Sequence, residues 1–132
     1  MTTTPRIQSI ESATLIGERP RHAGYNARLR DHGLQVRVPL VRIQTDDGVS
    51  GFGFSRATRE QLQPLLGQPI VDLIDETGYV ADHARIIEYP LLDWFGHQSA
   101  KPVYQIIADK FSKQPPTPFH VPCYDTSLYI DD

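Results

Sequence analysis

Between residues 34 and 45 apolar side chains alternate with polar ones: Val36, Val38, Leu40 or Val41, and Ile43 share the stretch with Gln35, Arg37, Arg42 and Gln44. A period of two is that of a strand with one buried face. Pro39 falls inside it, has no ladder donor, and predicts that this strand is an edge or is bulged there. Asp46-Asp47-Gly48 supplies the positive-φ chemistry of a tight hairpin, and residues 49–54 read as the returning strand. A looser alternation through Ile7, Ile10, Ala13, Leu15 and Ile16 predicts a strand over residues 7–19, which completes a three-stranded antiparallel meander. Residues 20–33 mix turn formers with cations and show no period. They read as a long loop, and connections beyond about 12 residues in compact domains tend to be functional or disordered.

After Arg56 the pattern becomes helical. Thr58 and Gln61 have capping-box spacing ahead of Leu62, Leu65 and Leu66, with Gly67 as a stop. Ile70, Leu73 and Ile74 form a second apolar cluster at helical spacing, introduced by Pro69 and closed by Gly78. Ala84, Ile87, Leu91, Trp94 and Phe95 lie on one helical stripe, in which Pro90 either kinks a helix or sits in the first turn of a new one. Pro102 opens a last helix that carries Val103, Ile106 and Ile107 and runs out near Lys113. Strands followed by helices predict an α+β fold, a meander and then a small helical bundle over residues 1–114. Pro115, Pro116 and Pro118 mark residues 115–120 as a hinge, and residues 121–130 read again as a strand, the opening of another unit.

Composition narrows the function. With 13 basic and 16 acidic residues among 132, the net charge is −3 and the signs are interspersed, so no basic stripe suits a nucleic-acid backbone. No apolar run approaches the ~20 residues needed to span a bilayer, and the start lacks a signal-peptide pattern. Cys123 is the single cysteine, which excludes an internal disulfide and fits a reducing, cytoplasmic setting.

Side chains that could carry chemistry are sparse. Gly51-Phe-Gly53 lacks the third glycine and the phosphate-loop lysine of a nucleotide site, and glycines at a strand end more often permit close backbone packing. His22, His32, His83, His97 and His120 are dispersed, with no pair at i, i+4 that would aim two imidazoles at one metal. Asp72, Asp75 and Glu76 read as a solvated helix face, and Asp93, which interrupts an apolar stripe, reads as a structural cap or salt bridge.

Two segments resemble a known family. Residues 41–54, a strand, an acidic-glycine turn and a G-x-G strand, resemble the N-terminal segment of the mandelate racemase and muconate lactonizing enzymes of the enolase superfamily. Pro90-Leu-Leu-Asp-Trp-Phe-Gly96 followed by Lys101-Pro-Val-Tyr-Gln-Ile-Ile107 resembles their late capping helices. Phe54-Ser55 stands where the family often has an acidic residue, and Asp93-Trp94 permutes the usual Trp-Asp order, departures that point to a divergent branch.

The resemblance implies an N-terminal capping domain over a (β/α) barrel, with residues 121–132 as the first strand of that barrel and the rest of it missing. It implies a lyase or isomerase that abstracts a proton α to a carboxylate with magnesium, such as an acid-sugar dehydratase or a racemase. The metal ligands and catalytic bases would stand on later barrel strands, so no catalytic or metal residue is expected within this chain, and alone it would be inactive. Its partners would be the C-terminal barrel domain and a small carboxylate substrate, with self-association into a homo-oligomer open. Residues 21–31 and 54–56 would face the barrel mouth. Tyr25, Arg28, Arg56 and His22 are the candidate substrate contacts, with Tyr124 and Asp125 on the first barrel strand. Cations there pair with carboxylate or hydroxyl-rich ends, and Tyr25 offers an apolar face and a hydroxyl. The alternative is a free-standing α+β binding or assembly module derived from such a cap.

Overall fold

The computed structural model describes residues 4–111 apart from 23 and 29, together with Pro122. The predicted hinge and final strand, with Tyr124 and Asp125, lie outside the described residues. Three long strands form the sheet: β1 (Ile7–Glu18), β4 (Gln35–Thr45) and β5 (Ser50–Phe54), antiparallel in the order β1-β4-β5. This is the expected meander. A bulge between Ile7 and Ser9 shifts the side-chain phase, so that Ile7 is buried and Ile10 also packs against the core. Beyond it, even positions of β1 share a face with odd positions of β4 and β5, which gathers Val41, Ile43, Gly51 and Gly53 beneath the helices.

Pro39 is neither at an edge nor in a bulge, because β4 is the central strand and pairs Pro39 with Thr14 in regular register. Its missing N–H faces the side where β5 has already ended at Phe54, opposite Leu40, so no ladder bond is lost to a strand partner. The predicted loop also holds structure. A small hairpin, β2 (Tyr25–Asn26) and β3 (Arg30–Asp31), sits at the tip of the β1–β4 ribbon. Strands of two residues are too short to show a period.

The β4–β5 turn follows its sequence. Gly48 takes φ +87°, its N–H donates to Thr45 O at 2.9 Å, and the Asp47 carboxylate accepts Val49 N–H at 3.2 Å. The Thr45 hydroxyl, inside the core, donates to Asp47 Oδ1 at 2.5 Å and accepts the Trp94 indole N–H at 2.9 Å. Turn and core are thereby tied together.

Helix α1 (Arg59–Leu62) is capped as its spacing predicts, with Gln61 Oε1 accepting Thr58 N–H at 2.9 Å. The second apolar cluster is not a helix. Ile70–Asp72 make one 3-10 turn, and the chain then doubles back through an isolated bridge between Ile74 and Val80. Asp75 therefore organises a turn instead of lining a helix face: its Oδ1 accepts from Thr77 N–H (2.8 Å), the Thr77 hydroxyl (2.6 Å) and Tyr79 N–H (3.0 Å). The stripe from Ala84 splits into a 3-10 segment, Asp82–Ile87, and α2 (Glu88–Ser99), with Pro90 in the first turn of α2 where its missing donor costs nothing. Helix α3 (Val103–Phe111) follows Pro102.

The core is one cluster, with Ile7, Ile43, Leu73, Ile87 and Leu91 fully enclosed between the sheet and α2. Each such side chain contributes about 1.5–3 kcal/mol. Sheet and helix touch backbone to backbone. A methyl group at Gly51 would lie 2.7 Å from Trp94 Cα and closer still to Pro90 O and Trp94 N, and one at Gly53 would lie 2.5 Å from Tyr89 Cβ. The expectation that this G-x-G permits close packing holds. Gly51→Ala should cost about 2–3 kcal/mol through forced separation of β5 from α2, read as a lowered urea midpoint at unchanged slope. A midpoint equal to that of the parent chain would refute the close approach.

A second outcome concerns acid. The Thr77 hydroxyl, followed by Tyr79 N–H, holds the Asp75 carboxyl below its ordinary value of 3.8. A depressed folded value means that the unfolded chain binds this proton first, so the contribution of Asp75 is full above about pH 3.8 and is lost as pH falls through the lower folded value. Asp75→Asn should flatten the acid limb of the Tm-against-pH curve below pH 4 and leave its neutral slope unaltered.

Candidate functional site

The strands of the sheet end at different heights. β5 pairs with β4 only as far as Leu40, whereas β1 and β4 run on together to Glu18 and Gln35. Beyond Leu40 the sheet is a two-stranded ribbon, and Leu15 and Ile16 on it are each 57% exposed. Five residues of strand separate Leu40 from Gln35, about 17 Å at the usual rise.

At the end of this arm the tip is built from its own polar groups. Arg19 N–H donates to Leu34 O at 2.8 Å, and its guanidinium Nη1 reaches His32 O (3.0 Å) and Gly33 O (3.1 Å). Asp31 Oδ1 accepts Gly33 N–H at 2.8 Å and lies 3.2 Å from His22 Nε2. Gly33 has φ +62°, so the Asp-x-Gly spacing closes a turn that only glycine adopts without strain. Tyr25 stands across from Asp31 on the small hairpin with its side chain 70% exposed, and Arg28 is exposed in the intervening turn. Arg30 adopts φ +59°, where a non-glycine residue is uncommon.

The other candidate segment follows β5. Ser55 is buried, and its hydroxyl donates to Ile86 O at 2.6 Å and accepts Ala57 N–H at 3.1 Å, while Ser55 N–H donates to Pro39 O at 3.2 Å. These bonds fix the direction in which the chain leaves the sheet. Arg56 is thereby turned outward, its guanidinium 5.4 Å from the centre of the Phe54 ring. It borders an open groove with Ser12, Thr14, Pro39, Leu40 and Ala57.

The structure thus brings His22, Tyr25 and Arg28 together on the tip and leaves Arg56 apart from them at the foot of the arm, on the same end of the sheet. Sequence reasoning did not single out Asp31, which pairs with His22, or Ser55, which aims Arg56. The Asp-x-Gly spacing was a usable signal for Asp31. Nothing local marks Ser55, because Ile86 is remote in sequence. Among the described carboxylates, Asp75 is held low as above, and Glu60 is lowered by a backbone hydrogen bond and then by the Thr58 side chain. Both serve local turns and caps. Among the described residues no group of three or more His, Cys, Asp or Glu could hold a metal ion, and no helix is long and apolar enough to cross a membrane.

Three solved structures share this architecture. A mandelate racemase/muconate lactonizing protein from Geobacillus sp. Y412MC10, complexed with magnesium and tartrate, superposes with a TM-score of 0.77 at 38% identity, over 98% of this chain and 33% of that one. Galacturonate dehydratase from Geobacillus sp., complexed with D-galacturonate and 5-keto-4-deoxy-D-galacturonate, gives 0.70 at 38% identity, over 80% of this chain and 29% of that one. A mutant of that dehydratase complexed with Mg gives 0.70 at 38%, over 78% and 28%. The chain therefore spans about a third or less of the length of these enzymes. No family model matches the chain, and no curated protein matches it.

The buried hydroxyl at the foot of the arm gives a direct check. Ser55→Ala leaves the Ile86 carbonyl and Ala57 N–H without their partner and should cost about 1–3 kcal/mol, with loss of the Arg56–Phe54 contact visible as a chemical-shift change at the Phe54 ring. An unchanged urea midpoint together with an unmoved ring signal would contradict the positioning role.

Proposed function

This chain belongs to the mandelate racemase/muconate lactonizing group of the enolase superfamily, and on that footing we propose that it is the cap and substrate-selecting portion of a magnesium-dependent lyase or isomerase. The reaction class is abstraction of a proton α to a carboxylate, in an acid-sugar dehydratase, racemase or isomerase, with the catalytic barrel as partner. The observation that carries this reading is the coverage, nearly the whole of this chain against about a third of an enzyme complexed with magnesium and a hydroxy acid. The single cysteine suits a cytoplasmic setting.

The chemistry divides accordingly. The described residues do not fit a magnesium site, since no cluster of ligating side chains exists among them. What they can do is enclose and select. The arm carries its tip about 17 Å beyond the end of β5, far enough to lie over a separate body and shut out water. Arg56, aimed by Ser55, presents a planar fork of donors suited to a carboxylate or a row of hydroxyls. Tyr25 and Arg28 offer an aromatic face and a second cation from above, and the Asp31 contact orients the His22 ring. Each group would act on the part of the substrate remote from the reacting carbon, where binding energy sets specificity.

A chimera tests the proposal: this chain replaces the matched portion of the Geobacillus sp. dehydratase, and turnover of D-galacturonate with magnesium is followed. Arg56→Ala should raise KM about tenfold, equivalent to ~1.4 kcal/mol, with a smaller change in kcat. A folded, active chimera indifferent to both Arg56→Ala and Tyr25→Ala would count against substrate selection by the cap. A chimera in which barrel and cap fold but do not associate would favour a free-standing binding module.

A further inference from the structure

The β5 edge is closed by α2, since Phe52 N–H donates to Asp93 Oδ2 at 3.0 Å and Ser50 O accepts from His97 Nδ1 at 2.8 Å. Another polar tie lies at the tip of the arm and centres on Arg19. Every other residue from Glu11 to Pro20 is exposed, Leu15 and Ile16 among them, whereas this cation is half-buried. Its Nη1 lies 3.0 Å from His32 O, 3.1 Å from Gly33 O and 3.3 Å from Gln35 O. One guanidinium nitrogen of this kind carries two hydrogens, so the three carbonyls share them.

The carbonyls converge for a local reason. An extended strand turns successive carbonyls to opposite sides. At Gly33 the φ of +62° breaks that alternation and brings His32 O and Gly33 O to the same nitrogen, in a turn set by Asp31 Oδ1, which accepts Gly33 N–H. The same carboxylate oxygen contacts His22 Nε2, and Asp31 pairs with Tyr25 across the small hairpin. Arg19 is thus joined through one turn to two of the candidate substrate contacts. The tip has little support of other kinds. Strands of two residues are marginal on their own, and Arg30 at φ +59° keeps a conformation that persists only where its surroundings fix it.

We infer that Arg19 is a positioning residue for substrate selection: by locking the turn at residues 31–35 to the end of β1, it fixes where His22 and Tyr25 stand. The inference rests on the selecting role proposed above for the cap. With its guanidinium engaged by main-chain oxygens, Arg19 is not itself a substrate contact, and its effect passes through the residues that the turn carries. Arg56, referenced to the core through Ser55, is independent of it.

The chimera described above, supplied with D-galacturonate and magnesium, tests this. Arg19→Met should raise KM about tenfold with a smaller change in kcat, and Arg19→Lys, which keeps the charge and three donors, should recover most of the loss. Combined with Tyr25→Ala the effect should not add, whereas with Arg56→Ala it should. In the 132-residue chain, Arg19→Met should speed amide exchange at Gly33 at least about tenfold and leave Ile43 unchanged. A chimera that responds to Tyr25→Ala but not to Arg19→Met, a simple sum of those two effects, or unaltered exchange at Gly33 would each overturn the inference and leave the selecting role standing. Faster exchange at Ile43 would make Arg19 a support of the whole fold and overturn it as well. A chimera indifferent to Tyr25→Ala would instead remove substrate selection from the tip, and the inference with it.

Discussion

The close approach of β5 to α2 is the contact on which the rest of the structure depends. At Gly51 and Gly53 the two backbones meet with no room for a side chain, and Val41 and Ile43 on β4 are sealed beneath the same helix. Because the approach is so close, side chains of α2 can reach polar groups of the sheet: the Trp94 indole N–H donates to the Thr45 hydroxyl, and the Asp93 carboxylate accepts Phe52 N–H. Packing and polar satisfaction are thus one event. A helix held a few ångströms further away would leave a buried indole N–H and a bare strand edge together.

The candidate site inherits its geometry from that contact. With α2 and the preceding 3-10 segment set against β5, Ile86 O is within reach of Ser55, and Ser55 in turn decides where Arg56 points. The tip, by contrast, is self-contained. Arg19 and Asp31 hold it through main-chain groups of its own residues, and the two-stranded ribbon is its connection to the core. One candidate group is therefore rigidly referenced to the core, and the other is carried on an arm that lacks a packed face of its own.

Much of this was legible in the sequence because alternation, turn chemistry and capping are local. The three long strands, the Asp-Asp-Gly turn, the Thr58–Gln61 cap and the placing of Pro90 in the first turn of α2 follow from neighbours within a few residues. Failures arose where a local pattern had two physical explanations. Ile70, Leu73 and Ile74 have helical spacing, yet one 3-10 turn and a reversal organised by Asp75 bury the same side chains. Pro39 looked like an edge marker, but only the length of β5 reveals that a central strand tolerates it. For the site, the exposed cations and Tyr25 stood out by residue type, whereas Ser55 and Asp93 matter through partners 31 and 41 residues away. No spacing rule encodes such partners.

The separation between Phe52 and Asp93 also bears on synthesis. Strand β5 leaves the ribosome 41 residues ahead of the carboxylate that covers its edge. At about 5–20 residues per second that interval is roughly 2–8 s, far longer than a hairpin needs to form. The nascent meander therefore exists for seconds with its β5 edge bare, and the arrival of α2 covers that edge.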